Sequence, residues 1–277
     1  MLLGSDNLGK ELFLIVDGNM SKLLLVIKRV WLWGILLAMV SHANAKEINY
    51  VVIADQARPF QIENNGHDHS GIITEIVQNI FSGDEWQLKI HTFPYKRMIS
   101  MLESGRIKHW ITYGSPEWKS VRVQSENLSK YPLVTVKHSL LSYQQPGFKF
   151  TKIEDLYGKT VIALLGFLYP GLDPYVENKK VNVMWVKGYE PAFRVLKRLK
   201  DDAFILEMAF RLKYNLKKNK EPFDQFQFHD FSLIIPDYQV YFAYSSDMDR
   251  ETVSFMNKRL KAMHDSKAIE AIVAHYD

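Results

Sequence analysis

The chain has 277 residues, 47% of them hydrophobic, with 35 lysines and arginines against 31 acids and no cysteine. A net charge of +4 is too mild to imply a nucleic-acid partner, and no basic stripe with interleaved aromatics runs through the sequence. The missing cysteines exclude disulfides, thiol catalysis, thiolate metal sites and the cysteine-borne lipid anchor of bacterial lipoproteins.

At the N-terminus, Lys28 and Arg29 precede an apolar run from Val30 to Val40, and Ala43-Asn44-Ala45 follows. A basic start, a short apolar core and a small-x-small site make a secretory signal peptide, with cleavage expected after Ala45. The alternative, a membrane anchor, needs about 20 apolar residues, more than this run supplies. Residues 1–19 fit no part of that pattern, and Met20-Ser21-Lys22 is the better start of translation. Peptides from 1–19 in the unprocessed precursor would refute that start.

Asn49 to Ala54 is β-rich, and a polar loop from Asp55 to Ser70 ends at Gly71. Apolar residues at 72, 73, 76, 77, 80 and 81 have helical period. Trp86 to Thr92 alternates as a strand, a second helix opens at Pro94-Tyr95 and stops at Gly105, and Lys108 to Tyr113 is a third strand. Strand, helix, strand, helix, strand is the signature of a parallel α/β layer, in which ligands collect at the carboxyl ends of strands. "GSPEWKSVR", Gly114 to Arg122, forms one such loop, and its Ser-Pro-Glu reads as a helix start.

Tyr131 to Tyr143 is a long β-rich stretch leading to a turn-rich seam at Gln144 to Gly147. The alternation then restarts: a short helix at Ile153 to Gly158, strands at Lys159 to Leu164, Asn182 to Val186 and Ala203 to Leu206, and helices at Glu190 to Lys200 and Met208 to Lys218. The four lysines between Lys213 and Lys220 read as the solvated end of a helix. Tyr238 to Tyr244 is extended, and two helices close the chain, one carrying Val253, Met256, Leu260 and Met263, the other Ile269, Ile272 and Val273. The expected architecture is two α/β lobes joined by two hinge strands: 46–140 and 238–277 in the first, 141–237 in the second. Two lobes on a hinge enclose a cleft that closes on a ligand.

The stretches "ARPFQ", "GHDHSGIITEIVQNIF", "PYKRMISMLESGRIKHWI", "IEDLYGKTVIALLG" and "DDAFILE", with the tail from Val240, carry a resemblance. In order and spacing the chain from Lys46 onward resembles the type II periplasmic solute-binding proteins of ABC transporters, polar-amino-acid branch, family 3. That resemblance implies a periplasmic monomer without cofactor or metal, capturing a small, amino-acid-like solute for an ABC permease or presenting it to a membrane sensor. It also implies departures at the site. The family's Thr-x-Glu-Arg loop, whose arginine clamps an α-carboxylate, is Ser115-Pro116-Glu117-Trp118 here, and an indole cannot make that ion pair. The family's aspartate for the α-ammonium corresponds to Glu207. Lys108-His109 stands where the family often has an aspartate of structural role.

Candidate ligand-binding residues follow from the loops. Trp118 has two roles open to it, a cleft wall that stacks on a ring or cation, or a plug under the adjoining helix. Arg97, in the first turn of its helix, can fork onto a carboxylate or pair with Glu103. Arg122 shares a face with Trp118 if the helix continues, and a solvated role is the alternative. Phe60, Tyr95, Phe167 and Tyr169 fall in cleft loops. Leu164 to Gly171 is apolar where the family offers a hydroxyl, so the residues favour a solute with a ring or apolar portion, with Leu165 or Leu168 turned into the core. His67-Asp68-His69 is too compact for a complete metal site, and Glu75 reads as an exposed helix residue. No nucleophile elbow, phosphate loop or zinc-protease helix is present, so an enzyme on this scaffold is the weakest alternative.

Overall fold

A computed structural model describes residues 45–64, 68–144, 148–167, 169 and 171–276. The signal peptide and the Met20 start, as well as His67 and Leu168, lie outside the described residues.

Strands β1 (Lys46–Ile53), β4 (Trp86–Phe93), β5 (Trp110–Gly114), β6 (Val134–Val136) and β12 (Tyr238–Tyr244) form one sheet in the order β4-β1-β5-β12-β6. Strand β1 runs parallel to β5, and β12 runs antiparallel to both β5 and β6. Every residue of β5 and the last six of β1 are buried, because helices cover both faces of this part of the sheet. Helix α1 (Ile72–Ile80) supplies Ile72, Ile73, Ile76 and Val77 to that core, and α2 (Tyr95–Glu103) supplies Met98 and Leu102. Gly71 makes the tight entry to α1: its φ is 107°, and a Cβ would lie 2.7 Å from the Pro59 carbonyl oxygen. The amides of Ile72 and Ile73 instead donate to the carbonyls of Pro59 and Phe60, which fixes the loop that carries Phe60.

The second sheet has the order β11-β7-β10-β8-β9, from β7 (His138–Tyr143), β8 (Thr160–Leu164), β9 (Asn182–Val186), β10 (Ala203–Met208) and β11 (Phe226–Asp230). Strands β8, β9 and β10 are parallel, and β7 is antiparallel to both β10 and β11. One face packs on α4 (Tyr189–Leu199) and α5 (Ala209–Lys218) through Phe193, Leu196, Leu212 and Leu216. The other packs on Phe150, Leu156, Leu172 and Phe231. A small hairpin of β2 (Ile62–Asn64) and β3 (Asp68–Ser70) and the short α3 (Asp173–Glu177) are peripheral. The C-terminal helices α6 (Arg250–Asp265) and α7 (Ala268–Tyr276) return to the first sheet's core through Met256, Leu260 and Ile269.

The chain passes from the first sheet to the second between Val136 and His138, with Lys137 alone in between, and returns through 231–237. The Lys137 ammonium lies 3.5 Å from the Asp237 carboxylate, so the two crossings are linked side by side. The expected continuous strand over 131–143 is therefore two strands in different sheets. The expected helix after Ser115 is also absent. The Trp118 amide donates to the Ser115 carbonyl and the Val121 amide to the Trp118 carbonyl, giving successive turns before a short 3-10 segment, Arg122–Gln124. The Ser115 hydroxyl does accept from the Glu117 amide, but it donates to the Gln239 carbonyl on β12 at 2.8 Å, which holds the turn on the sheet. Strand β11 and helix α3 have no counterpart in the sequence reading.

Candidate functional site

The carboxyl ends of β1, β4 and β5 in one sheet, and of β8, β9 and β10 in the other, carry the residues that converge. At their centre is Arg211, in the first turn of α5 and 1% exposed. Its guanidinium carbon lies 5.7 Å from the ring centre of Phe60, after β1, and 4.8 Å from that of Phe167, after β8. Its Nη2 faces the Tyr113 hydroxyl on β5 at 3.5 Å. Arg211 thus spans from the second sheet to the first, held between aromatic faces that favour a cation.

Glu207, the penultimate residue of β10, is 2% exposed and lies 3.6 Å from Arg211 Nη1. That is longer than a charge-assisted hydrogen bond. The Glu207 Oε1 accepts instead from the Met208 amide at 2.8 Å, and Oε2 accepts from the Tyr189 hydroxyl at 3.2 Å. The two oxygens are therefore satisfied, whereas Nε and Nη1 of Arg211 are buried without a hydrogen-bond partner. Among the described residues Glu207 is the only buried acid and Arg211 the only buried arginine or lysine.

Rings close the surround. Tyr95 and Phe167 stack at 6.1 Å and 18°, and the Tyr95 hydroxyl donates to Gln124 Oε1. Trp118 is half-buried, edge-on to Tyr113 at 5.8 Å and to Tyr238 at 6.3 Å, and its indole N–H points to the Tyr238 hydroxyl at 3.4 Å. His138 faces Tyr238 and Tyr169, and its Nδ1 also lacks a partner. The Trp118 loop keeps its shape through Gly114, where any Cβ would overlap the Gln124 carbonyl oxygen that accepts from the Ser115 amide.

Electrostatics follow from this burial. Burial pushes the Glu207 carboxyl above its ordinary range, outweighing the lowering by Arg211, the Met208 amide and the Tyr189 hydroxyl. Burial also opposes a charged Arg211, but the Glu207 carboxylate and the phenols of Tyr113, Tyr189 and Tyr169 outweigh it and hold the guanidinium firmly protonated. His138 is lowered to about 4, first by burial and then by the charge of Arg211. Burial pushes the Tyr95 and Tyr238 phenols up to about 12.

Of the residues expected from the sequence, Phe60, Tyr95, Trp118, Phe167, Tyr169 and Glu207 meet in this cluster. Arg97 and Arg122 sit elsewhere. Arg97 is exposed, with its guanidinium 5.5 Å over the Phe93 ring. Arg122 is 79% exposed and forked onto Glu126 at 2.7 Å, because the chain turns after Trp118 instead of continuing as a helix. The sequence reading does not single out Arg211, His138, Tyr113, Tyr189 or Tyr238. Leu165 is 51% exposed, so it does not fill the core. Glu75 accepts from the Tyr276 hydroxyl and so ties α1 to the C-terminal helix. His69 bonds Thr92 at 2.9 Å, and no cluster of metal-ligating side chains occurs among the described residues. A separate crevice of about 640 Å³, lined by Pro132, Phe210, Gln239, His264 and Val273 among others, has mostly apolar walls and does not include the buried charges.

Two lobes, each an α/β sheet with its loops facing the other across paired crossings, define the class: this chain has the type II periplasmic-binding-protein fold. Solved structures share it. The chain aligns with a structure described with glutathione import via GshT and the cystine ABC importer TcyBC of Streptococcus mutans, at 18% identity and TM-score 0.64, over 84% of this chain and 95% of that one. The BvgS periplasmic VFT2 domain of Bordetella pertussis aligns at 15% identity and TM-score 0.63, over 85% and 95%. A mutant of ArgBP from T. maritima aligns at 18% identity and TM-score 0.61, over 83% and 94%. No protein-family model matches the chain, and comparison with curated proteins finds no match.

Proposed function

We propose that this protein is a periplasmic solute-binding protein that closes its two lobes on a small polar or ring-bearing solute and delivers it to an ABC permease. One observation carries the reading: a fully buried, incompletely bonded guanidinium lodged between aromatic faces of both lobes. Arg211 is paired with Glu207, yet that pairing does not offset the whole cost of burying it. It sits at a helix N-terminus, where the macrodipole opposes a cation, and two of its nitrogens are desolvated without partners. Such a group is retained for what it binds. The fold relatives support the direction, since one is described as the substrate-binding protein of an amino acid ABC transporter.

The lobes are inferred to be 46–140 with 238–277, and 141–237. The division of strands between the sheets supports a return near 237 and favours a first crossing at Lys137, three residues before the 140 boundary, since β7 (His138–Tyr143) belongs to the second sheet. Export and cleavage after Ala45 would leave the binding domain free in the periplasm, and among the described residues no helix is long and apolar enough to cross a membrane. A monomer that works without catalysis is sufficient for this role.

A second reading, presentation of the ligand-bound form to a membrane sensor, is favoured by the equal likeness to the BvgS periplasmic domain. Both readings need a ligand. A thermal-shift screen of amino acids, amines, sugars and aromatic acids tests them, since a specific ligand stabilises the folded state by about 2.7 kcal/mol at one hundred times its Kd. Trp118→Ala, with the fold intact, should weaken the best binder at least about fivefold; an unchanged affinity removes Trp118 from the site.

A further inference from the structure

The solute-binding reading leaves open what the cleft takes, and the following rests on that reading. We infer that the ligand is a carboxylic acid with an aromatic or similarly flat apolar body and no ammonium group, and that Arg211 of the second lobe receives its carboxylate.

Unmet hydrogen-bonding capacity in the cleft is mainly that of a donor. Nε and Nη1 of Arg211 are buried without hydrogen-bond partners, and Nη2, which shares an edge with Nε, has the Tyr113 hydroxyl at 3.5 Å while Nη1 faces Glu207. The Nε–Nη2 edge is the geometry a carboxylate occupies with two parallel hydrogen bonds. No comparable demand exists for a cation. The single buried carboxylate among the described residues, Glu207, already accepts from the Met208 amide and the Tyr189 hydroxyl and stands beside Arg211 itself. An ammonium group placed there would meet the Arg211 charge at close range.

The guanidinium carbon lies over the rings of Phe60 and Phe167, at 5.7 and 4.8 Å, so the edge of the guanidinium is the approach that suits an incoming acid. Trp118, Tyr238, Tyr95 and His138 belong to the same aromatic cluster, and their faces and edges suit a flat apolar body. The hydroxyls of Tyr95 and Tyr189 and the indole N–H of Trp118 are already engaged inside the protein, so they hold the walls in place. The first-lobe loop that ends in Trp118 has no arginine in the cluster, and the charge reaches the cleft from the opposite lobe on α5.

The test is calorimetric titration of the full chain with matched probes: phenylacetate and indole-3-acetate, their amides, the zwitterions phenylalanine and tryptophan, and the amines phenethylamine and tryptamine. The acids should bind at least about tenfold tighter than any matched zwitterion, amide or amine, because only they satisfy the two donors without introducing a second cation. Arg211→Met should weaken the acids by at least about thirtyfold, and Arg211→Lys by at least about tenfold, since an ammonium cannot fork. Glu207→Gln guards against a folding artefact and should tighten acid binding about threefold or more, because it removes the neighbouring carboxylate's repulsion.

Zwitterions binding better than the acids, or Glu207→Gln losing acid binding as Arg211→Met does, overturns the ligand class and leaves the solute-binding reading standing. Amines or amides as the best probes do the same. If no probe here and no solute in the broader thermal-shift screen binds the folded protein, both readings fall.

Discussion

Replacing Arg211 by methionine isolates the buried pair at the heart of the cleft. The substitution keeps an unbranched apolar stem and removes the guanidinium with its charge. It leaves Glu207, 2% exposed, with the Met208 amide and Tyr189 hydroxyl but no cation. For unit charges at 3.6 Å, an effective dielectric of about 20 gives an attraction of about 5 kcal/mol. Breaking a buried pair by removing one partner costs about 3–5 kcal/mol, and Glu207 can reduce the loss by taking a proton, which its raised pKa favours. Arg211→Met should therefore lose about 3 kcal/mol at neutral pH, a fall of about 6–12 °C in Tm for a chain of this size. The companion double variant, Glu207→Gln with Arg211→Met, has no buried charge and no orphaned guanidinium nitrogens. It should return to within about 1 kcal/mol of the parent. Urea unfolding followed by tryptophan fluorescence reads both, with a constant m-value as the check that only stability has changed. An Arg211→Met midpoint equal to the parent's, or a double variant no more stable than the single, would refute the view that these two side chains are electrostatically matched.

Two further outcomes follow from the same geometry. His138 is held to about 4 when folded against about 6.5 unfolded, so the folded state binds fewer protons between those values and stability must fall as the pH is lowered through that window. The full effect is about 3 kcal/mol, opposite in sign to that of Glu207, and His138→Gln should remove it; a variant with the parent's pH slope would show that another group is responsible. Gly114→Ala should destabilise by about 1–3 kcal/mol and weaken ligand binding, since its Cβ forces the Gln124 carbonyl away from the Ser115 amide and releases the Trp118 turn. A fully stable variant with intact affinity would mean that the loop re-forms at no cost.

Much of the scaffold can be read from local periodicity. The isoleucines and valine of 72–80 repeat at helical spacing and form α1, and Asn182–Val186 is a strand where the apolar run suggests one. The break at Lys137 cannot be read this way, because β6 and β7 have the same local pattern and differ only in which sheet accepts their hydrogen bonds. Ser115-Pro-Glu carries genuine helix-start chemistry, and it is the bond from the Ser115 hydroxyl to Gln239, residues away in sequence, that keeps the chain in turns. Five of the eight candidate site residues lie in the cluster because strand-end loops can be located without knowing their contacts, and a sixth, Glu207, comes from the family resemblance. Arg211 has a subtler signal: it shares the buried stripe of α5 with Leu212, Asn215 and Leu216, a charge on the inward face of an amphipathic helix. The lysines further along the same helix draw attention to its solvated end and away from that arginine.

The two straps between the lobes differ in slack. On one side Lys137 is the sole residue between strands fixed in different sheets, and on the other seven positions, 231–237, cover the same gap. A single peptide link can swivel but scarcely lengthen, so the lobes can turn about Lys137 and cannot slide apart there, while on the longer strap Phe231 and Ile235 are anchored in the second sheet's core and leave Pro236 and Asp237 to follow the turn. Opening should thus resemble a door on an offset pin, with the widest travel at the mouth farthest from Lys137, and the Lys137–Asp237 contact would act as a doorstop whose grip weakens as salt is added.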